Sequence, residues 1–433
     1  MRDFIVVGGG IAGLAIAELL QRSGRGVLLL EARERLCARS SAEQQGWFHT
    51  GALYAGLPCS RFFRQLVGNL DDLQNYYGGF PRMNLAAGRH MLTRHIDGWF
   101  GNDLTFYFYA SPRDPSIDLW RRPIWSAATL RAQTRLAWFE TLDFNRELSP
   151  QIRGLTVSPN LGRCVSRRAF NIKPGRIGTV LRSRDRTFHS ERIAADLLAS
   201  FLTYGGEFRG GAPVERIEHG RVVENGRMHR ARQIILAAGR QVHELTRIRV
   251  SVHKSPLLVV TPALNDVNFV WMTMRTEETF NHLRHRADGA DYSLIGNAAY
   301  YPVNAEIDEA AVKARLLSRA RRTFGREIQP EQAELYFGYK TEVCSKMARR
   351  NYQYHIIDTE NCVVALPGKM SLAFSLAVNV CRHFGVDPVS RVGDLGELGA
   401  TLPIEPTRHC VLTRGLLSGA GHAGATPSIA AQR

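Results

Sequence analysis

The chain has 433 residues, of which 44% are hydrophobic, and a formal net charge of +16 at pH 7. This length exceeds what one small core needs and predicts two associated domains, while the hydrophobic content is that of an ordinary soluble protein. The charge comes mainly from scattered arginines without a recognised nucleic-acid-binding module. We therefore expect a solvated basic surface that attracts anionic substrates, and no nucleic-acid partner.

The seven cysteines show no CxxC pair and no metal-binding spacing with histidine. This pattern indicates free thiols in a reducing compartment and no metal site. The first predicted strand begins near residue 4, which leaves no room for a signal peptide before it. The expected location is cytoplasmic.

Residues 1–31 predict a dinucleotide-binding unit of strand, glycine turn, helix and second strand. Gly8 permits the sharp turn, Gly10 allows close approach to a pyrophosphate, and Gly13 lets the helix pack tightly on the strand. The helix N-terminus offers N–H groups and a positive dipole end to phosphates. Glu31, 18 positions after Gly13, is placed to accept hydrogen bonds from ribose hydroxyls.

Two alternatives to this interpretation are weaker. An accidental glycine turn would not explain the matching strands, helix and acidic residue around the motif. A transmembrane helix over residues 4–20 would place four glycines and Glu18 in hydrocarbon. We expect no transmembrane segment here.

A polar loop follows Glu31 and contains the Ser40-Ser41 pair and a GxxHxG sequence from Gly46 to Gly51. Together with the first 31 residues, these motifs resemble the FAD-dependent D-amino-acid-oxidase-like (DAO) superfamily, and most closely its 2-hydroxyacid and glycerol-3-phosphate dehydrogenase branches. The resemblance implies that this loop passes the pyrophosphate and reaches the flavin ring. It places His49 beside the flavin, where the histidine would act as a base or carry a covalent flavin link.

The middle of the chain alternates between helical and strand patterns. Helical spacing is found within residues 57–80 and again from Ser126 to Leu148, whereas the aromatic run at 104–109 predicts a strand of a second domain. A helix over 191–204 and a buried strand over 233–236 return to the nucleotide domain. The strand ending in Ala238-Gly239 resembles the second FAD signature of the superfamily, in which a valine in the position of Val214 brackets the adenine.

The segment Gly338-Tyr339-Lys340 follows a strand-rich region and a predicted helix over Glu309–Phe324. Superfamily members often have a basic residue near this point, which pairs with the anionic group of the substrate. Arginine is the usual residue there because it grips a carboxylate at two points, whereas Lys340 offers a single charge. His355 is a further candidate catalytic residue.

Residues 361–381 predict a strand, a Pro-Gly turn and a helix N-terminus. Such a terminus stabilises negative charge and suits the O2 and N1 edge of a reduced flavin. The turn resembles the Gly-Lys-x-Ser/Thr segment that closes the FAD domain of glycerol-phosphate dehydrogenases. The composition from Gly415 onward, rich in Gly, Ala, Ser and Pro, predicts disorder.

The resulting fold class is α/β, with a Rossmann-like FAD-binding domain of mixed sheet (GR2 type) and a discontinuous antiparallel-sheet substrate domain. The FAD-binding domain comprises residues 1–82, 166–248 and 345–386, and the substrate domain comprises residues 83–165 and 249–344. Residues 387–433 are expected to form a flexible C-terminal extension. The predicted catalytic residues are His49, Lys340 and His355, and the predicted FAD-binding residues are Gly8, Gly10, Ile11, Ala12, Gly13, Glu31, Ala32, Arg39, Ser40, Ser41, His49, Thr50, Gly51, Val214, Ala238, Gly239, Gly368, Lys369, Met370 and Ser371.

The implied activity is oxidation of a C–H bond beside an amine or hydroxyl of a small anionic substrate, an amino acid or 2-hydroxy acid, with hydride passing to flavin N5. The electron acceptor would be O2, a quinone or another carrier. Two alternatives are an FAD-binding protein with a structural or partner-binding role, and an NAD-dependent dehydrogenase. Three separated nucleotide-binding stretches suit one long FAD molecule better than NAD, and a structural flavin needs no anion site beside its ring.

Overall fold

A computed structural model describes residues 2–58, 60–85, 98–101, 103, 105–140, 156–157, 171, 174–183, 185–344, 351–395 and 402–418. Within these residues the helices are α1 (Ile11–Arg22), α2 (Ser40–Glu43), α3 (Ser60–Tyr77), α4 (Arg122–Glu140), α5 (Ser190–Thr203), α6 (Val242–Leu245), α7 (Glu309–Phe324), α8 (Ala373–His383) and α9 (Arg408–Leu417). Short 3-10 turns are found at Ala52–Tyr54, Leu119–Arg121, Pro174–Arg176, Gly239–Gln241, Pro330–Gln332 and Met370–Leu372.

The strands in the same residues follow in chain order. They are β1 (Arg2–Val7), β2 (Val27–Leu30), β3 (Trp47–Phe48), β4 (Thr105–Ala110), β5 (Thr156–Val157), β6 (Ile177–Ser183), β7 (Arg186–Thr187), β8 (Glu207–Arg209), β9 (Val214–Glu218), β10 (Arg221–Glu224), β11 (Arg227–Leu236), β12 (Val250–Val260), β13 (Asn268–Met272), β14 (Phe280–Ala287), β15 (Ala290–Asn297), β16 (Tyr301–Pro302), β17 (Ala333–Val343), β18 (His355–Asp358) and β19 (Val363–Leu366).

The first sheet has the strand order β18-β19-β11-β1-β2-β8. Its central strands β19, β11, β1, β2 and β8 run parallel, β18 is antiparallel to β19, and β9 and β10 continue from β11 as antiparallel strands. Residues Phe4–Val7 are buried, as expected for a parallel strand covered on both faces. This mixed sheet confirms the predicted α/β class.

Helix α1 packs on this sheet and against α5 and α8. It buries even its charged residues, Glu18 and Arg22, whose side chains pair at 2.5 Å. Ser200 of α5 donates a further hydrogen bond of 2.7 Å to the Glu18 carboxylate. A buried ion pair is tolerated when its remaining polar atoms are bonded, and this pair fixes α1 against its neighbours.

The second sheet has the strand order β16-β12-β15-β14-β13-β4-β6-β5, with β17 also paired to β12. All these pairings are antiparallel except that of β13 with β4. The aromatic run of β4 is buried throughout, so it supplies core to this sheet. The sheet is built from two separated stretches of the chain, β4–β6 and β12–β17, which matches the expected mostly antiparallel second sheet.

Several predicted elements have the expected type with shifted ends. Helix α7 spans the predicted residues, whereas α4 begins at Arg122, before the predicted start at Ser126. Residues 141–148 of that predicted helix lie outside the described residues. Both residues of the expected boundary at 165/166 also lie outside them, as does residue 345 of the expected boundary at 344/345. Within the described chain, no helix has the length and hydropathy needed to cross a bilayer.

Residues 387–395 and 402–418, part of the expected flexible C-terminal extension, make hydrogen bonds to the rest of the chain. Gly393 N donates to Tyr204 OH at 2.8 Å, and Leu36 N donates to Pro403 O at 2.8 Å. Helix α9 then buries His409, whose Nδ1 lies 2.6 Å from Tyr292 OH. A few buried polar side chains make these contacts, and average hydrophobicity does not report them. Residues 419–433 lie outside the described chain.

Candidate active site

The glycine turn between β1 and α1 has the close contacts that the sequence predicts. Gly8 has a φ of +107°, and a Cβ on it would lie 2.7 Å from Ala237 O. A Cβ on Gly13 would lie 1.9 Å from Gly8 O. Only glycine permits this approach of helix to strand, which brings the N-terminus of α1, at Gly10, Ile11 and Ala12, to the wall of the adjacent cavity.

Glu31 directly follows β2 and lies beside this turn. Its carboxylate accepts hydrogen bonds from Gly9 N at 2.6 Å and Arg33 N at 3.0 Å. Glu31 is therefore fixed at the edge of the cavity, at the end of the second parallel strand where a ribose is expected.

A central cavity of about 300 Å³ extends along the carboxyl ends of these strands. It lies between the two sheets and brings together stretches from across the chain. The predicted residues that line it are Gly8, Gly10, Ile11, Ala12, Glu31, Ala32, Arg39, Ser40, Ser41, His49, Val214, Ala238, Gly239, Lys340, Gly368, Lys369, Met370 and Ser371.

Three predicted FAD-binding residues, Gly13, Thr50 and Gly51, are not part of the cavity lining. Gly13 lies in the first turn of α1, against Gly8, where it sets the helix-to-strand distance. Gly51, with a φ of +126°, begins a 3-10 turn. The backbone N and the Oγ1 of Thr50 donate to Asp185 Oδ1 at 2.8 and 2.7 Å.

The structure does not place His355 at the cavity. His355 begins β18 and pairs with Leu366 across the antiparallel ladder, and it is absent from the cavity lining. Burial and the nearby Arg61 lower its pKa. β18 is the edge strand of the first sheet, and Leu366 of the neighbouring strand β19 lines the cavity in its place.

His49 is buried in the cavity wall at the end of β3. Its backbone N donates to Ser371 Oγ at 2.8 Å, which ties the loop of the first nucleotide unit to the turn before α8. The imidazole stacks on Trp47 with centroids 5.4 Å apart and meets Tyr54 edge-on at 5.3 Å. Its Nδ1 lies 3.2 Å from Asp185 Oδ2.

Asp185 is a fully buried carboxylate that the sequence did not reveal as a site residue. Burial alone would raise its pKa, but hydrogen bonds from His49, Tyr107 and Thr50 outweigh that effect and lower the pKa. The carboxylate is therefore ionised and accepts the Nδ1 proton of His49. Asp185 lies among arginines in a segment without a recognisable motif, so no local signal identified it.

Burial lowers the pKa of His49, the bond to Asp185 partly offsets this, and the charges of Lys369 and Lys340 lower it further. The imidazole is thus neutral at neutral pH. With the proton on Nδ1, the lone pair is on Nε2. This arrangement is that of a general base oriented by a carboxylate.

Two lysines contribute positive charge to the same cavity. Lys340 lies on β17, and its Nζ is 3.4 Å from Ser255 Oγ. The Nζ of Lys369 lies over the Tyr352 ring, 4.4 Å from the centroid, and 5.6 Å from that of Tyr54. Both ammonium groups influence the His49 imidazole, so an anion bound near His49 would find complementary charge.

The opposite end of the cavity fits an anionic nucleotide. Burial, and then repulsion from Arg240 and Arg33, lowers the pKa of Arg39. A pyrophosphate would relieve this crowding of positive charge beside the N-terminus of α1. Arg240 also lines the cavity. The sequence did not predict it, because its place there depends on the approach of the turn after β11 to the region of α2. The residues present therefore suit FAD.

The family model DAO, described as FAD dependent oxidoreductase, matches residues 3–340. The chain belongs to this family. FAD is its cofactor, and members of the family are FAD-dependent oxidases and dehydrogenases, so the expected family, cofactor and enzyme class are confirmed.

Solved structures similar to this DAO family member share its fold at low sequence identity. Glycine oxidase from Geobacillus kaustophilus has a TM-score of 0.63 and 15% identity, covering 90% of this chain and 96% of that chain. L-alpha-Glycerophosphate oxidase from Mycoplasma pneumoniae, solved with FAD bound, has a TM-score of 0.65 and 15% identity, covering 90% of this chain and 97% of that chain. L-proline dehydrogenase from P. horikoshii has a TM-score of 0.58 and 12% identity, covering 96% of this chain and 98% of that chain.

Curated relatives match only a short segment. Pig flavin-containing amine oxidase B is 42% identical over 65 residues, which is 14% of this chain and 12% of that protein. Pig amine oxidase A is 40% identical over 67 residues, 15% of this chain and 13% of that protein. The chain thus matches about an eighth of the length of these relatives.

Proposed function

We propose that the protein oxidises the C–H bond beside an amine or hydroxyl of a small anionic substrate, an amino acid or a 2-hydroxy acid. The observation that carries this proposal is the buried His49–Asp185 pair in the same cavity wall as Lys340 and Lys369. When bound, FAD accepts the hydride at N5. The protein's own residues must then bind the anion, orient the carbon and remove a proton.

His49 is the proposed proton acceptor. Its neutral imidazole offers the Nε2 lone pair to a substrate hydroxyl or ammonium, while Asp185 holds the proton on Nδ1 and stabilises the imidazolium that forms. Trp47 and Tyr54 restrict the ring in two directions, so little orientation is lost when substrate binds.

Lys340 is the proposed carboxylate partner. A lysine in a partly dry cavity gains from an anion that pairs with it, and that pairing also orients the adjacent carbon. Lys369 is held over two tyrosine rings close to His49, where it supports negative charge at the same end of the cavity. The names of the similar structures include glycine, proline and glycerophosphate as substrates of those proteins, and each carries a carboxylate or phosphate.

The test compares a carboxylate substrate with its neutral amide in wild type, Lys340→Met and a control, Lys313→Met. Lys313 lies on α7, 4.0 Å from Glu334 and away from the cavity lining. We expect wild type and Lys313→Met to prefer the carboxylate by about tenfold or more, and Lys340→Met to lose this preference. Equal turnover of both compounds by wild type would refute the anionic-substrate proposal.

The same preparations report on the flavin link and the electron acceptor. Colour that remains with denatured protein would show that His49 or another residue carries a covalent flavin, whereas release of free FAD would show that the flavin is bound without a covalent link. Reoxidation of the reduced enzyme with O2 or with a soluble quinone then separates an oxidase from a dehydrogenase.

A further inference from the structure

The outward side of α4 and the turn before it exposes large apolar side chains. Leu119 is 73% exposed, Trp120 67%, Ile124 57% and Leu130 63%. Scattered single hydrophobic residues are normal on protein surfaces, but these four lie within twelve residues of one another. Four exposed large apolar side chains in one short segment require an explanation.

Every exposed residue from 119 to 134 is uncharged. These residues, which we call the α4 face, are Leu119, Trp120, Pro123, Ile124, Ser126, Ala127, Leu130 and Thr134. From 123 onward, Pro123, Ala127, Leu130 and Thr134 follow the helical period and share one side of the helix, and Ile124 borders that side. By contrast, the exposed side of α7 carries Glu309, Arg315 and Arg322, as an ordinary solvated helix does.

The helix that bears this face is fixed to the protein. Trp125, on the inner side, donates its indole N–H to Ala110 O at 2.7 Å. Arg131 donates to Gly56 O at 2.8 Å, and Arg135 donates to Ala55 O at 3.0 Å. The apolar face is therefore presented outward by the packing and does not result from a loosely attached helix.

Arginines border the turn at the start of the α4 face. The Arg121 guanidinium lies 4.4 Å from the Trp120 ring centroid. Asp118 pairs with Arg275 at 2.8 Å, and Asp114 pairs with Arg176 at 2.6 Å. These carboxylates are thus already neutralised.

A second group of arginines extends this basic border. Burial, and then repulsion from Arg176 and Arg322, lowers the pKa of Arg319. The linked charges are five arginines, Arg121, Arg176, Arg275, Arg319 and Arg322, against three carboxylates, Asp114, Asp118 and Glu278. In this group the arginines outnumber the carboxylates by two, on a chain whose total charge is +16.

We propose that the α4 face binds the surface of an anionic lipid bilayer. Trp120 would lie at the headgroup level, Ile124 and Leu130 would enter the boundary of the acyl chains, and the bordering arginines would pair with lipid phosphates. Binding of a second copy of the chain is disfavoured because two such basic borders would face each other and repel. The protein lies on the membrane through this face without a spanning helix in its described part.

The test is co-sedimentation of the FAD-loaded full chain with vesicles. The vesicles contain either phosphatidylcholine alone or equal parts of phosphatidylcholine and phosphatidylglycerol, at low and high salt. The variant is Trp120→Ser/Ile124→Ser, and the control is Met228→Ser, which removes a side chain that is 50% exposed on β11. An unchanged flavin spectrum shows that each variant is folded.

We expect wild type and Met228→Ser to bind the phosphatidylglycerol vesicles, to bind less at high salt, and to bind phosphatidylcholine vesicles weakly. The double variant should partition at least about tenfold more weakly, since two interfacial anchors are lost. A further variant, Arg275→Gln/Arg322→Gln, should reduce the salt-dependent part. Equal binding by the double variant and wild type would overturn the proposal. So would a concentration-dependent dimer, abolished by the same variant, in protein that does not bind vesicles.

Discussion

Replacement of Asp185 by Asn should disable His49 while it preserves the shape of the buried site. Asp185 accepts bonds from Thr50 N and Oγ1 on one oxygen, and from His49 and Tyr107 on the other. Asn has only one acceptor oxygen. When that oxygen stays with the two Thr50 donors, the amide N–H faces His49 Nδ1 and the imidazole proton moves to Nε2.

The size of the effect follows from this change of tautomer. With its proton on Nε2, the imidazole has no lone pair for the substrate, and the contribution of a positioned general base is lost. We therefore expect the rate constant of flavin reduction to fall by about 10³-fold, equivalent to about 4 kcal/mol of transition-state stabilisation.

The assay is anaerobic stopped-flow reduction of the flavin across pH. In wild type the neutral form of His49 is active, so the rate should fall as pH decreases through a pKa below the usual value near 6.5. Any activity left in Asp185→Asn should decline at a lower pH than in wild type, because the carboxylate that raises the pKa of His49 is gone. The control is Asp196→Asn, a buried carboxylate bonded to Trp99 and Arg82 outside the cavity. An Asp185→Asn enzyme with the wild-type rate and pH profile would refute the role of the pair.

Two further predictions concern cofactor binding and stability. Gly13→Ala should lower the FAD content, because the new Cβ would force α1 about 1 Å away from Gly8 O. The control is Gly68→Ala in α3, whose Cβ meets nothing within 4 Å, so this variant should remain fully loaded with FAD. A yellow, fully loaded Gly13→Ala protein would count against the glycine turn as the pyrophosphate site. Burial lowers the pKa of His189 and His285, that of His282 to about 4 and that of His409 to about 3. Since the unfolded chain binds these protons near pH 6.5, the free energy of unfolding should decrease below that pH, by up to about 5 kcal/mol per pH unit. Urea titrations check this slope, and a midpoint that stays constant between about pH 7 and about pH 5 would contradict it.

The first nucleotide-binding unit was predictable because its information is local. The apolar run of β1, the three glycines of the turn and the period of α1 each depend on residues close in sequence. Fold class, family and cofactor were inferred from this unit together with the later stretches that resemble FAD-binding motifs. All three inferences are confirmed. Lys340 was placed by family resemblance on a strand that lines the cavity, while its role stays a prediction.

The pairings that sequence reasoning missed depend on distant contacts. His49 and Asp185 are 136 positions apart and meet only because β3 pairs with β7. His409 enters the core of the second sheet through Tyr292, although its surroundings in sequence predicted a flexible tail. Local periodicity contains no information about such pairings, which the packing of the two sheets determines.

Anaerobic titration of the FAD-loaded enzyme with amino acids, 2-hydroxy acids and their amides tests the proposed activity most directly. We expect at least one carboxylate compound to bleach the flavin at a rate that depends on His49, while its amide reacts much more slowly. A flavin that stays oxidised with every such acid, or one that the amides reduce equally fast, would contradict the proposal.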